Sequence, residues 1–495
     1  MEIIDKDLLS IQEVRNIVKH ANLASKELAN MSQEQIDKVV KAISDAGIEH
    51  AERLAKMASE ETGFGNAEDK TIKNYFASKV VYDSIKDQKT VGIIKEDKEL
   101  KTIDIAIPVG VVAGIIPSTN PTSTVIYKTL ISIKGGNAIV ISPHPGAKSC
   151  ILETVKVIKE AAQAAGCPKD AIGVITVPTL QATQELMKHD DTKLILATGG
   201  AAMVKAAYLS GTPAIGVGAG NGPAFIDRSA DIPLAIKRIV DSKTFDHGTI
   251  CASEQSIVIE KDLEDQVTFE LKKRGAYLLS QEESEKLGTF ILRANGTMNP
   301  AIVGKSAEHL SKLAGLSRVP ASTKVLVAKT ESVGLDVPYS HEKLAPILAL
   351  YVEDSVDGVL ERSKEILEFE GMGHTFSIHA NDEALVKKFA LQMPASRILV
   401  NTPGALGGIG ATTNLWPALT LGCGAMGGSA SSNNIGPKDL INIKKVAYGI
   451  KEIEEIRSTV FGGRDSENSH DVTSSCLEQD ELVDEIVKKL MERLM

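Results

Sequence analysis

From Val109 to Gly200 the chain repeats one pattern: short β-branched run, loop, amphipathic stretch. VGVVAGIIP reads as a buried strand, Thr122 to Ile133 as a helix, NAIVISP as a second strand and Ala147 to Ala165 as a helix ended by Gly166 and Pro168. AIGVITVP, a helix over Gln181 to His189 and KLILATGG continue the rhythm. Strands alternating with helices predict a parallel sheet with crossover helices, a nucleotide-binding architecture. Ligands of such sheets sit outside the carboxyl ends of the strands. Those ends are Pro117-Ser118-Thr119-Asn120, Ser142-Pro143-His144-Pro145 and Thr198-Gly199-Gly200.

Length allows more than this one unit, because single cores stop growing near ~250 to 300 residues and the chain has 495. A 43% hydrophobic content with only 4% aromatics fits an α/β protein rich in Ala, Val, Ile and Gly. The formal charge of −10 argues against a nucleic-acid surface, which needs clustered Lys and Arg. MEIIDKDLLS is acidic where a secretory signal is basic, and no apolar run approaches the ~18 residues of a membrane span. The best candidate, Ile105 to Ile116, is cut by Pro108, Gly110 and Gly114. Cysteines 150, 167, 251, 423 and 476 are scattered without metal-ligand spacing, so free thiols, a reducing cytoplasm and no metal are expected.

Residues 7 to 87 carry helical periodicity, with Ser32 opening a segment that contains Ile36, Val39, Val40 and Ile43. Residues 90 to 107 hold two β-rich runs around a charged EDKEL, which predicts a projecting hairpin suited to subunit contacts. Two glycine-rich stretches mimic a dinucleotide fingerprint. GVGAGNG (Gly216 to Gly222) lacks the third glycine; GCGAMG (Gly422 to Gly427) fits the spacing, but no clear strand precedes it and no helix follows. Both are read as loops.

Cys251 lies in FDHGTICASEQ, where Gly248, Thr249, Ala252 and Ser253 leave a sulfur sterically open. This segment and IPVGVVAGIIPSTNPTS, SPHPGAK, LATGG, GVGAGNGP, HEKLAPILA, GMGHTFSIH and TLGCGAMGGSASSNN occur in an order that resembles the CoA-acylating aldehyde dehydrogenases, including the aldehyde dehydrogenase half of bifunctional aldehyde-alcohol dehydrogenases. The resemblance runs from about residue 10 to 450. It implies an aldehyde dehydrogenase fold with a parallel-sheet NAD-binding domain (1–225, with 90–107 as a β oligomerisation extension) and an α/β catalytic domain (226–423). Residues 424–460 would then return to the NAD-binding domain and the oligomerisation strand.

The same resemblance implies the chemistry: the Cys251 thiolate attacks an aldehyde carbonyl, and Asn120 with the Cys251 N–H stabilises the oxyanion. Hydride then passes to nicotinamide and an acyl thioester remains. Pro117 and Ser118 are expected on the nicotinamide side, Ser142 and His144 near the adenine ribose, and Thr198, Gly199 and Gly200 near the pyrophosphate. Gly218 is expected against the cofactor and Glu342 on the nicotinamide ribose. Ser142 stands where hydrolytic relatives carry a lysine. Hydrolytic relatives also place a water-activating glutamate in a stretch like E-L-G-G-K-S-P; here V-G-A-G-N-G-P puts Val217 in that slot, 34 residues before Cys251. Without that base the acyl group should wait for CoA.

His247, His374 and His379 are candidates for activating either thiol, each with an equal reading as a structural histidine. Cys423 is read as a buried thiol, Arg397 as a strand-edge salt bridge rather than an anion contact, and Gly404 to Pro417 as a contributor to the aldehyde pocket. The expected reaction is reversible, NAD- and CoA-dependent oxidation of acetaldehyde or propionaldehyde to acyl-CoA, by a homo-oligomer that is a dimer or a dimer of dimers. The alternatives are a hydrolytic aldehyde dehydrogenase and a non-catalytic assembly component.

FGGRDSENSHDVTSS reads as a linker (461–476), and 477–495 as an amphipathic helix with Leu482, Val483, Ile486, Val487, Leu490, Met491 and Leu494 on one stripe. The layout resembles peptides that carry enzymes into bacterial microcompartments; the alternative is a helix docked on its own oligomer. Fused to a fluorescent protein in a compartment-forming host, residues 461 to 495 should give punctate signal, and a diffuse signal would remove the targeting role.

Overall fold

In the computed structural model, residues 5–461 are described, so the helix expected at 477–495 and nearly all of the linker before it lie outside the described residues. Two compact units result. The large one comprises Ile105–Lys444 with the chain up to Ile94, and the small one is built on Lys95–Asp104 and the chain from Lys445 onward.

Five parallel strands form the first sheet of the large unit, in the order 172–174, 138–142, 111–115, 192–197, 214–216. Strand Val111–Ile115 is central and buried throughout, because Val, Ala and Ile on both faces are covered by helices. From it the chain builds outward to 172–174 on one side, then crosses to 192–197 on the other. The switch point therefore falls between the loops after 115 and after 197. The fully buried helix Pro121–Lys134 begins at the first of these loops, with Pro121 at a helix start where no N–H is needed.

Seven parallel strands form the second sheet, in the order 276–278, 325–329, 347–353, 256–260, 223–226, 373–379, 395–400. Alternation assigns its two cores: Phe225 and Val258 pack into one face, Ala224, Ile226, Ile257 and Ile259 into the other. Strand Pro223–Ile226 belongs to this sheet, so a boundary at 225 falls inside a strand, and the passage between the sheets is the loop 217–222.

Strands 92–97, 102–108 and 441–447 form a three-stranded sheet, with 92–97 and 102–108 at the expected hairpin. GCGAMG is a loop with a single 3₁₀ turn at Ala425–Gly427 and follows no strand of either large sheet. Beyond it the chain returns to the first core: Ile435 and Leu440 join that cluster, and the buried Tyr127 hydroxyl donates to the Ile435 carbonyl. Tyr127→Phe should cost about 1–3 kcal/mol in urea unfolding, since it strands a buried carbonyl without its donor.

Candidate active site

The segment leading to Cys251 has three successive residues in the left-handed region, Asp246 (φ 46°), His247 (φ 52°) and Gly248 (φ 76°). Only the glycine adopts this freely, so the turn must be held from outside. Asp246 holds it. Its buried carboxylate accepts from Lys70 Nζ (2.9 Å), from Lys73 Nζ, from the Asn66 N–H (2.9 Å) and from the Thr249 hydroxyl (2.7 Å). Its own N–H donates to Asp69 Oδ2 at 2.7 Å. Lys70 and Lys73 reach it together because i and i+3 share one face of the helix Ala67–Tyr75. Burial raises the Asp246 carboxyl, but the two ammonium groups outweigh it and hold the pKa below the ordinary aspartate value.

Behind this turn lie two cavities, of about 690 Å³ and about 440 Å³, with Pro117, Thr198, Gly199, Gly200 and Glu342 as common wall. The smaller contains Cys251, Asn120, Ser118, Val217 and Gly218; the larger contains Ser142; His144 borders both. Every residue expected at the cofactor or at the reacting centre thus lines one cavity or the other.

The local roles differ. Asn120 precedes the helix 121–134, its Nδ2 donates to the Thr249 carbonyl (3.2 Å) and its Oδ1 accepts from Lys73 Nζ (2.5 Å). Ser142 shares its hydroxyl with Thr183 Oγ1 at 2.9 Å, and His144 Nδ1 accepts from the Gly146 N–H at 3.0 Å. The buried Thr198 hydroxyl has no partner among the described residues, and a side-chain carbon built on Gly200 would meet open space among them. Glu342 Oε1 accepts the Gly220 N–H at 2.8 Å. Burial, reinforced by the neighbouring Glu370 carboxylate, pushes Glu342 up to about 7.

The loop 217–222 presses against the nucleophile. A Cβ on Gly220 would stand 1.8 Å from the Cys251 carbonyl oxygen, so no side chain fits. Burial above all, then Glu342 and Cys423, pushes the Cys251 thiol up to about 12, so the resting sulfur is protonated at neutral pH. Cys423 is fully buried, as expected, with its sulfur 3.6 Å from the position of a Cβ on Gly218.

Among the histidine candidates, His247 Nδ1 meets the Gly304 carbonyl at 3.1 Å, while His374 and His379 are buried and pushed down to about 3 and about 4 by desolvation. None of the three lines either cavity. Among the described residues Arg397 forms no salt bridge. Its buried guanidinium on edge strand 395–400 donates instead to the Gly422 carbonyl (2.6 Å), the Ser432 carbonyl (3.3 Å) and Asn434 Oδ1 (3.3 Å). Of the loop 404–417, Ile409 reaches the Cys251 cavity, joined by Leu419 and Leu421 just beyond it. Among the described residues, no His, Cys, Asp and Glu cluster could hold a metal.

Sequence reading missed Lys70, Lys73, Asp246, Gly220 and Glu370. Residues 7 to 87 carry only helical periodicity, which does not single out two lysines, and Gly220 takes part through its backbone N–H alone. The i, i+3 lysine pair opposite an aspartate five residues before Cys251 was the available signal.

The aldehyde dehydrogenase family profile matches residues 3–409, and the chain belongs to that family. It is 46% identical over 443 residues to the bifunctional aldehyde-alcohol dehydrogenase AdhE of Escherichia coli K12, covering 88% of this chain and 50% of AdhE. The chain thus spans about half the length of this curated relative. An acetylating aldehyde dehydrogenase from Geobacillus thermoglucosidasius superposes with a TM-score of 0.89 at 52% identity, covering 91% of this chain and 99% of that one. A propionaldehyde dehydrogenase from the fucose-utilisation microcompartment of Clostridium phytofermentans gives 0.80 at 28%, covering 88% and 97%. The likeness to acylating aldehyde dehydrogenases that the sequence blocks carry therefore holds over about nine-tenths of the chain, 91% against the acetylating enzyme and 88% against the propionaldehyde dehydrogenase.

Family membership implies a nicotinamide dinucleotide, and the residues present fit one: a strand switch point, an unpartnered Thr198 hydroxyl, open space at Gly200 and a carboxyl at Glu342. Asp246→Ala should destabilise the fold by about 3–5 kcal/mol in denaturant titration, because it leaves two buried ammonium groups unpaired.

Proposed function

We propose that the chain oxidises a short aliphatic aldehyde, acetaldehyde or propionaldehyde, to its acyl-CoA, reversibly and with NAD. The observation that carries this reading is the pairing of Cys251 with Val217 in one cavity, at the wall shared with the dinucleotide cavity. Cys251 adds to the aldehyde carbonyl; its own N–H and the Asn120 amide face the oxygen that becomes negative, at the start of a helix whose dipole favours that charge. The dinucleotide supplies the hydride acceptor when bound. Pro117, Ser118, Gly218 and Glu342 hold its nicotinamide end, Thr198, Gly199 and Gly200 its pyrophosphate, and Ser142 and His144 its adenine ribose. Val217 offers no base to water, so the Cys251 thioester persists until the CoA thiol takes the acyl group.

Two features of the walls narrow the ligands. Among the described residues no Lys or Arg lines the larger cavity, which leaves a 2′-phosphate without a counter-charge there and favours NAD over NADP. Phe64, Ile250, Val303, Ile409, Leu419 and Leu421 line the smaller one, whose single ammonium, Lys73, is already bonded to Asp246. An apolar acyl group fits this wall better than a carboxylated or sulfonated one. A homo-oligomer, a dimer or a dimer of dimers, is supported by the largely exposed strand Ile441–Ala447. Delivery into a microcompartment through 477–495 is supported by the amphipathic stripe and by the compartment origin of the Clostridium phytofermentans relative. Otherwise the enzyme resides in the reducing cytoplasm.

Aldehyde, NAD and CoA together should generate reduced nicotinamide, with kcat/KM higher for acetaldehyde or propionaldehyde than for succinic semialdehyde or sulfoacetaldehyde. Cys251→Ser should lose more than about a thousandfold while remaining folded. Val217→Glu should raise free acid release about tenfold or more; an unchanged product ratio would sink the assignment of that slot. The iodoacetamide alkylation rate of Cys251 without cofactor should climb with pH through 10 without a plateau, since a thiol pushed up to about 12 gains thiolate only as pH rises.

A further inference from the structure

Asparagine has a side-chain amide whose two ends are nearly equal in size and opposite in polarity. Turned one way, Asn120 offers N–H to a forming oxyanion; turned the other, it offers a carbonyl oxygen that repels it. Neither its backbone nor its shape selects between them. Two groups do, one at each end: the Thr249 carbonyl, which only accepts and takes Nδ2 at 3.2 Å, and Lys73, whose ammonium only donates and makes the shorter contact, 2.5 Å to Asn120 Oδ1, while also donating to Thr249 Oγ1 (2.9 Å) and to Asp246. Lys73 is buried, and its ring contact is with Phe245, 5.8 Å to the centroid.

Building on the reading that Asn120 is the oxyanion donor, we propose that Lys73 is a positioning residue. It locks the Asn120 amide with its oxygen towards the ammonium and its N–H₂ towards the Thr249–Cys251 backbone, and ties that amide through Asp246 to the turn carrying the nucleophile. Lys70 shares Asp246 but contacts only the Thr119 carbonyl beside Asn120 (2.9 Å), so it steadies the backbone without choosing the amide orientation. Burial opposes charge on Lys73 and pulls it down to about 8 against the pull of Asp246, which still leaves it mostly protonated at neutral pH.

The test uses acylation of Cys251 by p-nitrophenyl acetate, which needs neither NAD nor CoA. The sulfur–acyl bond forms, the ester C–O bond breaks, nitrophenolate leaves and the thiol proton goes to solvent, through an oxyanion. Lys73→Met should slow this step about 30- to 100-fold, while iodoacetamide alkylation, which forms no oxyanion, changes less than about threefold. In an Asn120→Ala background, Lys73→Met should cost less than about threefold further. Equal losses in both backgrounds, or equal losses with ester and iodoacetamide, would overturn the proposal. If Lys73→Met lowers the melting temperature below the assay range, Lys73→Gln in the same two backgrounds decides between the same outcomes. Because the ester assay is independent of aldehyde turnover, a parent inactive with aldehyde and CoA would strike the assigned reaction alone.

Discussion

A carboxylate removed from water must find its charge partners inside the protein, and Asp246 finds two ammonium groups, a hydroxyl and a backbone N–H. The left-handed turn at 246–248 exists because this cluster over-determines it. Since Cys251 follows within five residues, its placement is inherited from a helix more than 170 positions upstream. The arrangement couples stability to the geometry of the cavity. The lysines that neutralise the carboxylate also donate to the amide oxygen of Asn120 and to the Thr119 carbonyl, so this wall cannot loosen without exposing buried charge.

The second constraint is steric. The sheets contribute opposite ends to the site: carboxyl ends of the five-stranded sheet, and the approach to strands 223–226 and 256–260 of the seven-stranded one. The loop 217–222 bridges them, and at Gly220 it touches the Cys251 backbone so closely that only hydrogen fits. Along the same loop Val217 enters the Cys251 cavity and the Gly220 N–H donates to Glu342. One loop therefore sets the distance between the Cys251 sulfur and the wall that carries Glu342.

The parallel sheet from 111 to 197 was legible because its strands are short runs of Val, Ile and Ala bounded by Gly and Pro, a pattern with one economical solution. That Cys251, Asn120 and Glu342 would meet at one cavity could be expected from the eight separated blocks that surround them. The Lys70–Lys73–Asp246 cluster was not, since charge in a short polar helix ordinarily signals solvent, and its burial is decided by a turn far away in sequence. Arg397 failed for a related reason. A salt bridge is the default for a buried guanidinium, yet its two terminal nitrogens donate mainly to backbone carbonyls of the 422–434 loop, and backbone carbonyls leave no trace in side-chain identity. The domain boundary slipped because GVGAGNGP reads as one loop, whereas Pro223 already begins a strand.

Cys251 lines a cavity, yet desolvation of its sulfur, with Glu342 and Cys423 beside it, pushes the thiol up to about 12, so without ligands it is protonated at neutral pH. Val217 shares that cavity and carries no group able to take a proton. On the proposed reading, this pairing sets the choice of acyl acceptor by acidity alone: water would need a base to become a nucleophile there, whereas a thiol ionises with far less help.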